Sequence, residues 1–221
     1  LNMPKDRVKG MTTLTKEQSN CLLEEAFNSG CFEFYYLELT TGLRLGEILA
    51  LEWEDLDIKN KTLSITKQVQ RIDGILQAET PKTKNSIRTI AISSDCATAL
   101  GRLKLRQARG TTLMFPSPET GTYRDQNAVT RKFKRMLRRA GLPQEVRFHD
   151  LRHTCATIAL EEGVEIKALS SMLGHSDVAF TMNTYVHATK KLKTTAADKM
   201  EAAFQIGYSA VMDVECKLKE A

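Results

Sequence analysis

The sequence predicts an α+β fold: a mostly helical domain with one small antiparallel sheet. Three observations carry this. Apolar residues recur at helical spacing over most of the 221 residues. Between 56 and 92 the pattern changes to alternation rich in β-branched residues, with Asp73-Gly74 as a turn signal. After Ser93-Ser94 the helical pattern returns and holds. A hydrophobic content of 42% with 27% charged residues is ordinary globular composition and excludes a disordered tail. No run approaches the ~18–20 apolar residues of a membrane span, and none reads as a signal peptide. Repeats and low-complexity segments are absent. The five cysteines are odd in number, widely spaced and lack a CxxC pair. They predict reduced thiols and a cytoplasmic setting rather than a disulfide framework.

Taken in order, residues 1–11 are polar, carry Pro4 and Gly10, and read as a linker remnant. Thr15 with Gln18 forms a capping-box pattern that opens a helix to about Phe27, stopped by Asn28-Ser29-Gly30. A second helix spans about Cys31 to Thr41 and ends at Gly42; a third follows Arg44, with Ile48, Leu49 and Leu51 at helical spacing. Two or three short strands occupy 56–92. Helices are then expected near 95–109, 125–140, 149–162, 165–173, 177–186 and 193–206, with a short apolar piece at 113–116. Trp53 is expected to anchor the core.

The net charge of +5 is unevenly spread. Nine basic and three acidic residues lie between Arg124 and Arg152, so this stretch carries +6 and the remainder −1. Arg131, Arg135, Arg138 and Arg139 fall three and four apart, on neighbouring parts of one helical face. With Arg124, Lys132 and Lys134 they form candidate contacts to a nucleic-acid backbone. A solvated helix face explains the same letters.

The segment 149–187 carries the chemistry. It opens with His149, Asp150, Leu151, Arg152, His153, continues to the LGHS of 173–176, and ends in TMNTYVH. His149 and Arg152 share a helical face, and an imidazole beside a planar guanidinium fork suits a phosphate. His149 and His153 also have the i, i+4 spacing of a zinc pair, with His175 as a third ligand. The intervening acid is the short Asp150, and a cationic Arg152 beside a metal dication is unfavourable. Metal ligation is therefore the weaker reading.

TTGLRLGEILALEW (40–53) resembles the first arginine box of the tyrosine recombinases, the phage integrase family. HDLRHTCATIALEEG (149–163) resembles their second box, and ALSSMLGHSDVAFTMNTYVH (168–187) their third. PKTKNSIRTIAI (81–92) is similar to the hairpin that carries the family's lysine. These elements occur in family order from about 40 to 190, and their flavour is that of integrases of phages and conjugative transposons.

The resemblance implies a catalytic domain over 12–187 that cleaves and rejoins double-stranded DNA through a 3′-phosphotyrosyl intermediate. Tyr185 would be the nucleophile. Arg44 and Arg152 would hold the non-bridging oxygens, His149 would assist proton transfer, and His175 would donate to a phosphate oxygen. Lys82 would be the general acid on the leaving 5′ oxygen. Lys84 is the alternate, since two residues apart on an extended strand share a face. Glu47 and Asp150 would orient arginine or histidine. No catalytic part is expected of His153, which reads as capping or structural, or of His187. Neither metal nor other cofactor is implied.

The implied partners are DNA, other protomers in a four-protomer synaptic complex, and accessory DNA-bending or directionality proteins. The chain starts at Leu1 and reads as a piece of a longer protein, without the DNA-clamping domain that family members carry ahead of this one. Its DNA affinity is expected to be correspondingly lower. Residues 188–221 form a tail that either exchanges between protomers or folds back on its own domain. Alternatives are a type IB topoisomerase, a closer relative that shares the phosphotyrosine chemistry, and a DNA-binding module without cleavage.

Overall fold

A computed structural model describes residues 12–81, 86–108, 110–175 and 178–185. The expected linker (1–11), helix at 193–206 and tail (188–221), together with Lys82, Lys84 and His187, lie outside the described residues.

The chain enters through α1 (Lys16–Asn28), and the capping box is present. Thr15 Oγ1 accepts from Gln18 N at 3.2 Å, and Gln18 Oε1 accepts from Thr15 N at 3.0 Å. Next come α2 (Phe32–Thr41) and α3 (Leu45–Ala50). A 3-10 turn at Trp53–Asp55 leads into the strands β1 (Leu56–Asp57), β2 (Thr62–Ile65), β3 (Gln68–Ile72), β4 (Ile75–Glu79) and β5 (Arg88–Ala91). The helices α4 (Ser94–Arg106), α5 (Gln126–Arg139), α6 (Asp150–Glu161), α7 (Ile166–Leu173) and α8 (Val178–Thr184) follow.

The single small sheet of the sequence reading is corrected to two. Strands β1, β2 and β5 form one antiparallel sheet in the order β1-β2-β5, and β3 pairs with β4 as a separate hairpin. The run at 62–70 breaks between Ile65 and Gln68 because Ile65 pairs Arg88 while Gln68 pairs Glu79. The turn falls at Asp73-Gly74, both at positive φ, as a two-residue hairpin loop requires.

Helix α4 ends three residues earlier than its expected 109. Gln107 turns inward instead: Trp53 Nε1 donates to its Oε1 at 2.8 Å, and its Nε2 donates to Met114 O at 2.7 Å. Two buried polar partners outweigh one more helical turn.

The main core joins α1, α2, α3, α5 and the 113–115 segment, with aromatic packing among Phe34, Tyr35, Phe115, Phe133 and Phe148. A smaller cluster of Ala156, Leu160, Leu169, Leu173 and Tyr185 joins α6, α7 and α8. The site forms where these two clusters meet.

Candidate active site

Glycines set the first contacts. Gly42 closes α2 in the left-handed conformation, φ 61°, and a Cβ there would meet Leu173 Cδ2 at 2.7 Å and Cys155 Sγ at 3.3 Å. Gly46 allows α3 to press on β3, where a Cβ would lie 2.8 Å from Val69 O. Helices α2, α6 and α7 therefore converge on one point, and α3 is fixed beside them.

Arg152 fills that point. It is 2% exposed, and its two terminal nitrogens donate at 2.7 Å to Gly42 O and Leu173 O. Both carbonyls belong to helix C-termini, where the backbone lacks partners and the helix dipole is negative. One guanidinium thus joins α2 to α7. Burial, with Arg44 nearby, pushes its pKa down to about 10, so it stays charged at neutral pH.

Glu47, 1% exposed, is the counterweight. Its carboxylate accepts from Arg44 N and Nη1 at 2.9 Å and from both terminal nitrogens of Arg88 at 3.0–3.1 Å. Burial alone would raise its pKa, but Arg88 and Arg44 hold it below the usual carboxylate range. Arg88 also donates through Nε to Met172 O at 2.8 Å. The end of α7 is therefore held by two arginines. Arg44 keeps a side chain about a third exposed (37%), the most open cation of the set.

Three histidines surround this group. The His149 ring meets the His153 ring edge-on at 5.0 Å. His153 Nδ1 lies 2.8 Å from Tyr185 Oη. His175 Nδ1 lies 2.8 Å from Thr181 Oγ1. Burial and the neighbouring cations lower all three, His153 and His175 to about 4, so each ring is neutral at pH 7. Tyr185 is 3% exposed, and burial pushes its phenol up to about 12. It is protonated in this resting site.

The structure gathers Arg44, Glu47, His149, Arg152, His175 and Tyr185 from the sequence reading. Asp150 accepts from Arg147 N at 2.7 Å and pairs with the Arg147 guanidinium, and its charge is also felt by His149 and His153. Two further members join the site, one unread in the sequence and one given no part in the chemistry. Arg88 is one; it shares a face of β5 with buried Ile90, a placement that demands a carboxylate partner. His153 is the other. Expected to be capping or structural, it meets the tyrosine hydroxyl. Its spacing from His149 had signalled a shared face. Among the described residues no group of three metal-ligating side chains stands together.

The cations of α5 and its approach divide in two. Arg131, Arg135, Arg138 and Arg139 are exposed, Arg139 within 3.5 Å of Glu25. Arg124, Lys132 and Lys134 donate to backbone carbonyls, of Pro116 at 2.7 Å, Ser29 at 3.4 Å and Val146 at 2.8 Å. Among the described residues no helix is long and apolar enough to cross a membrane.

A buried tyrosine hydroxyl beside neutral imidazoles and fixed guanidinium forks defines a site suited to phosphoryl chemistry on a polyanion. The chain belongs to the phage integrase family, the tyrosine recombinases, which it matches over residues 4–191. It is 34% identical over 191 residues to a tyrosine recombinase XerC-like protein of Caldanaerobacter subterraneus subsp. tengcongensis, covering 77% of this chain and 49% of that protein. It is 31% identical to the ICEBs1 integrase of Bacillus subtilis, covering 76% and 48%. It is 30% identical to the transposase of transposon Tn916 of Enterococcus faecalis, covering 80% and 48%. The chain spans about half the length of these relatives. In fold it resembles the Tn1549 transposon integrase solved with transposon right end DNA (TM-score 0.76, 23% identity, 88% of this chain and 68% of that one). The catalytic domain of bacteriophage HP1 integrase is also similar (TM-score 0.55, 22% identity, 80% and 88%).

Proposed function

We propose that this chain is the catalytic part of a site-specific recombinase that integrates and excises a mobile element. The observation that carries the proposal is the Tyr185 hydroxyl, held 2.8 Å from an imidazole beside the Arg44 and Arg152 cluster. Tyr185 Oη attacks a DNA phosphorus, and the P–O5′ bond breaks. The phenol proton leaves to the histidine side of the site, where His149 assists. The leaving 5′ oxygen takes a proton from Lys82, with Lys84 as the alternate donor. The phosphotyrosyl bond conserves the energy needed for rejoining, so the step calls for neither metal nor nucleotide.

Arg44 and Arg152 stabilise charge on the pentavalent phosphorus, and His175 donates to a phosphate oxygen. Glu47 positions Arg44. The exposed arginines of α5 meet the DNA backbone. The protein acts in the cytoplasm as four protomers on paired double-stranded sites, with accessory DNA-bending or directionality proteins as further partners. Residues 188–221 contribute to protomer contacts in cis or in trans.

The test is covalent capture from a library of nicked duplexes with randomised flanks, in which the nick lets the cleaved strand diffuse away. A denaturant-resistant protein–DNA adduct is expected from the wild type and none from Tyr185→Phe. Adduct formed by the Phe variant would contradict the proposal.

A further inference from the structure

Tyr185 follows directly on helix α8, and among the described residues two side-chain ties of this segment to the body use histidine Nδ1 atoms. His175 meets Thr181 and His153 meets Tyr185, both at 2.8 Å. The tyrosine ring is packed among Ala156, Leu160, Leu169 and Leu173, so apolar contact fixes where the ring lies. It leaves the rotation of the O–H bond, and with it the direction of the oxygen lone pairs, unset. The ring contacts run from His149 to His153 to Tyr185, with His153 in the middle at 5.0 Å and 5.9 Å. His153 itself sits on α6, one residue after Arg152, whose bonds to Gly42 and Leu173 hold that helix against α2 and α7.

We propose that His153 is a positioning residue for the nucleophile: its Nδ1 sets the orientation of the Tyr185 hydroxyl, and strand cleavage depends on that bond. This rests on the phosphotyrosyl reading above. A neutral His153 protonated on Nε2 accepts the phenolic hydrogen at Nδ1. The lone pairs of Oη are then left for phosphorus, which is the productive direction. Attack needs aligned orbitals as well as a short distance, and losing that geometry can cost on the order of 10²-fold in rate, so a single bond that sets the direction of the lone pairs has leverage beyond its own strength.

The test compares three variants in single-turnover cleavage of a duplex recovered by the covalent capture. His153→Phe keeps the ring and loses the bond. His153→Asn places an amide near the position of Nδ1, and His153→Gln places it near Nε2. His153→Phe and His153→Gln are expected to cleave about 10–100-fold more slowly, with His153→Asn within about 5-fold of wild type. A second arm uses Tyr185→Phe protein with hydroperoxide as an external nucleophile. There His153→Phe is expected to change nothing, because no phenol remains to be aimed.

Wild-type cleavage rates in His153→Phe would overturn the inference alone. So would equal losses in His153→Phe and His153→Asn, or a matching loss in the hydroperoxide arm, which would mark general support of the site. Absence of any adduct from wild-type protein would remove the recombinase reading itself, and this inference with it.

Discussion

The arginines of the site and the arginines of α5 carry the same charge in opposite surroundings. Arg152 and Arg88 are buried, and their donors go to helix-terminal carbonyls and to Glu47. Arg131, Arg135 and Arg138 stand in solvent on a helix whose inner face is Val129, Phe133, Met136 and Leu137. The first group is part of the framework, and in the proposed reaction it would meet a phosphate with its geometry already set. The second is adjustable, screened by salt, and suited to attraction rather than to charge stabilisation at one atom. Charge density along the sequence points to the second group; bonding points to the first.

The sharpest way to break this contrast is to remove a framework arginine. Arg88→Met leaves Glu47 buried beside Arg44 alone, and loss of one partner of a buried pair typically costs about 3–5 kcal/mol. Denaturant unfolding should register that loss, and an effect like that of a surface substitution would refute the framework role. Arg152→Lys cannot span Gly42 O and Leu173 O with a planar fork. Its cleavage rate should fall by about 10²–10³, read as adduct formed per unit time at saturating DNA.

The framework role was only partly legible in the sequence. The helices and the hairpin turn were readable because each leaves a local pattern, a cap or a turn dipeptide, and the set Arg44, His149, Arg152, His175 and Tyr185 was readable through its resemblance to the boxes of the tyrosine recombinases. Arg88 was not, because its meaning depends on Glu47, 41 positions away, across a strand–helix contact. The division of 62–79 between two sheets was hidden for the same reason, since alternation shows that a strand exists but not its partner. His153 was visible as a face-mate of His149, but that spacing suggested a metal. Its partner Tyr185 lies 32 positions on.

Glu38 sharpens the comparison from the acidic side. It is 1% exposed on α2, its carboxyl oxygens are without hydrogen-bond partners among the described residues, and burial raises it well above the carboxylate range despite Arg152 nearby. The unfolded chain ionises this group near its ordinary value while the folded one keeps the proton. Its contribution is therefore complete below the unfolded pKa and is lost as pH rises toward the folded one. Glu38→Gln should stabilise the protein at pH 7–8 by about 1–3 kcal/mol and make little difference below the unfolded pKa. Paired thermal or urea unfolding at the two pH values checks this, and a uniform effect would contradict it.

The smallest expected effects belong to α5. Arg131→Ala or Arg138→Ala should change stability by less than about 0.5 kcal/mol. Each should lower DNA affinity without slowing cleavage at saturation. Each should also reduce the slope of log affinity against log salt by about 0.9 for every phosphate no longer neutralised. Equilibrium binding at several salt concentrations reads this directly.

The central claim, that Tyr185 carries the DNA, is tested most directly by digesting the captured covalent complex and locating the nucleotide by mass spectrometry. A 3′-phosphonucleotide on Tyr185 is the predicted result. The same modification on any other residue, or an adduct that persists in Tyr185→Phe, would contradict it.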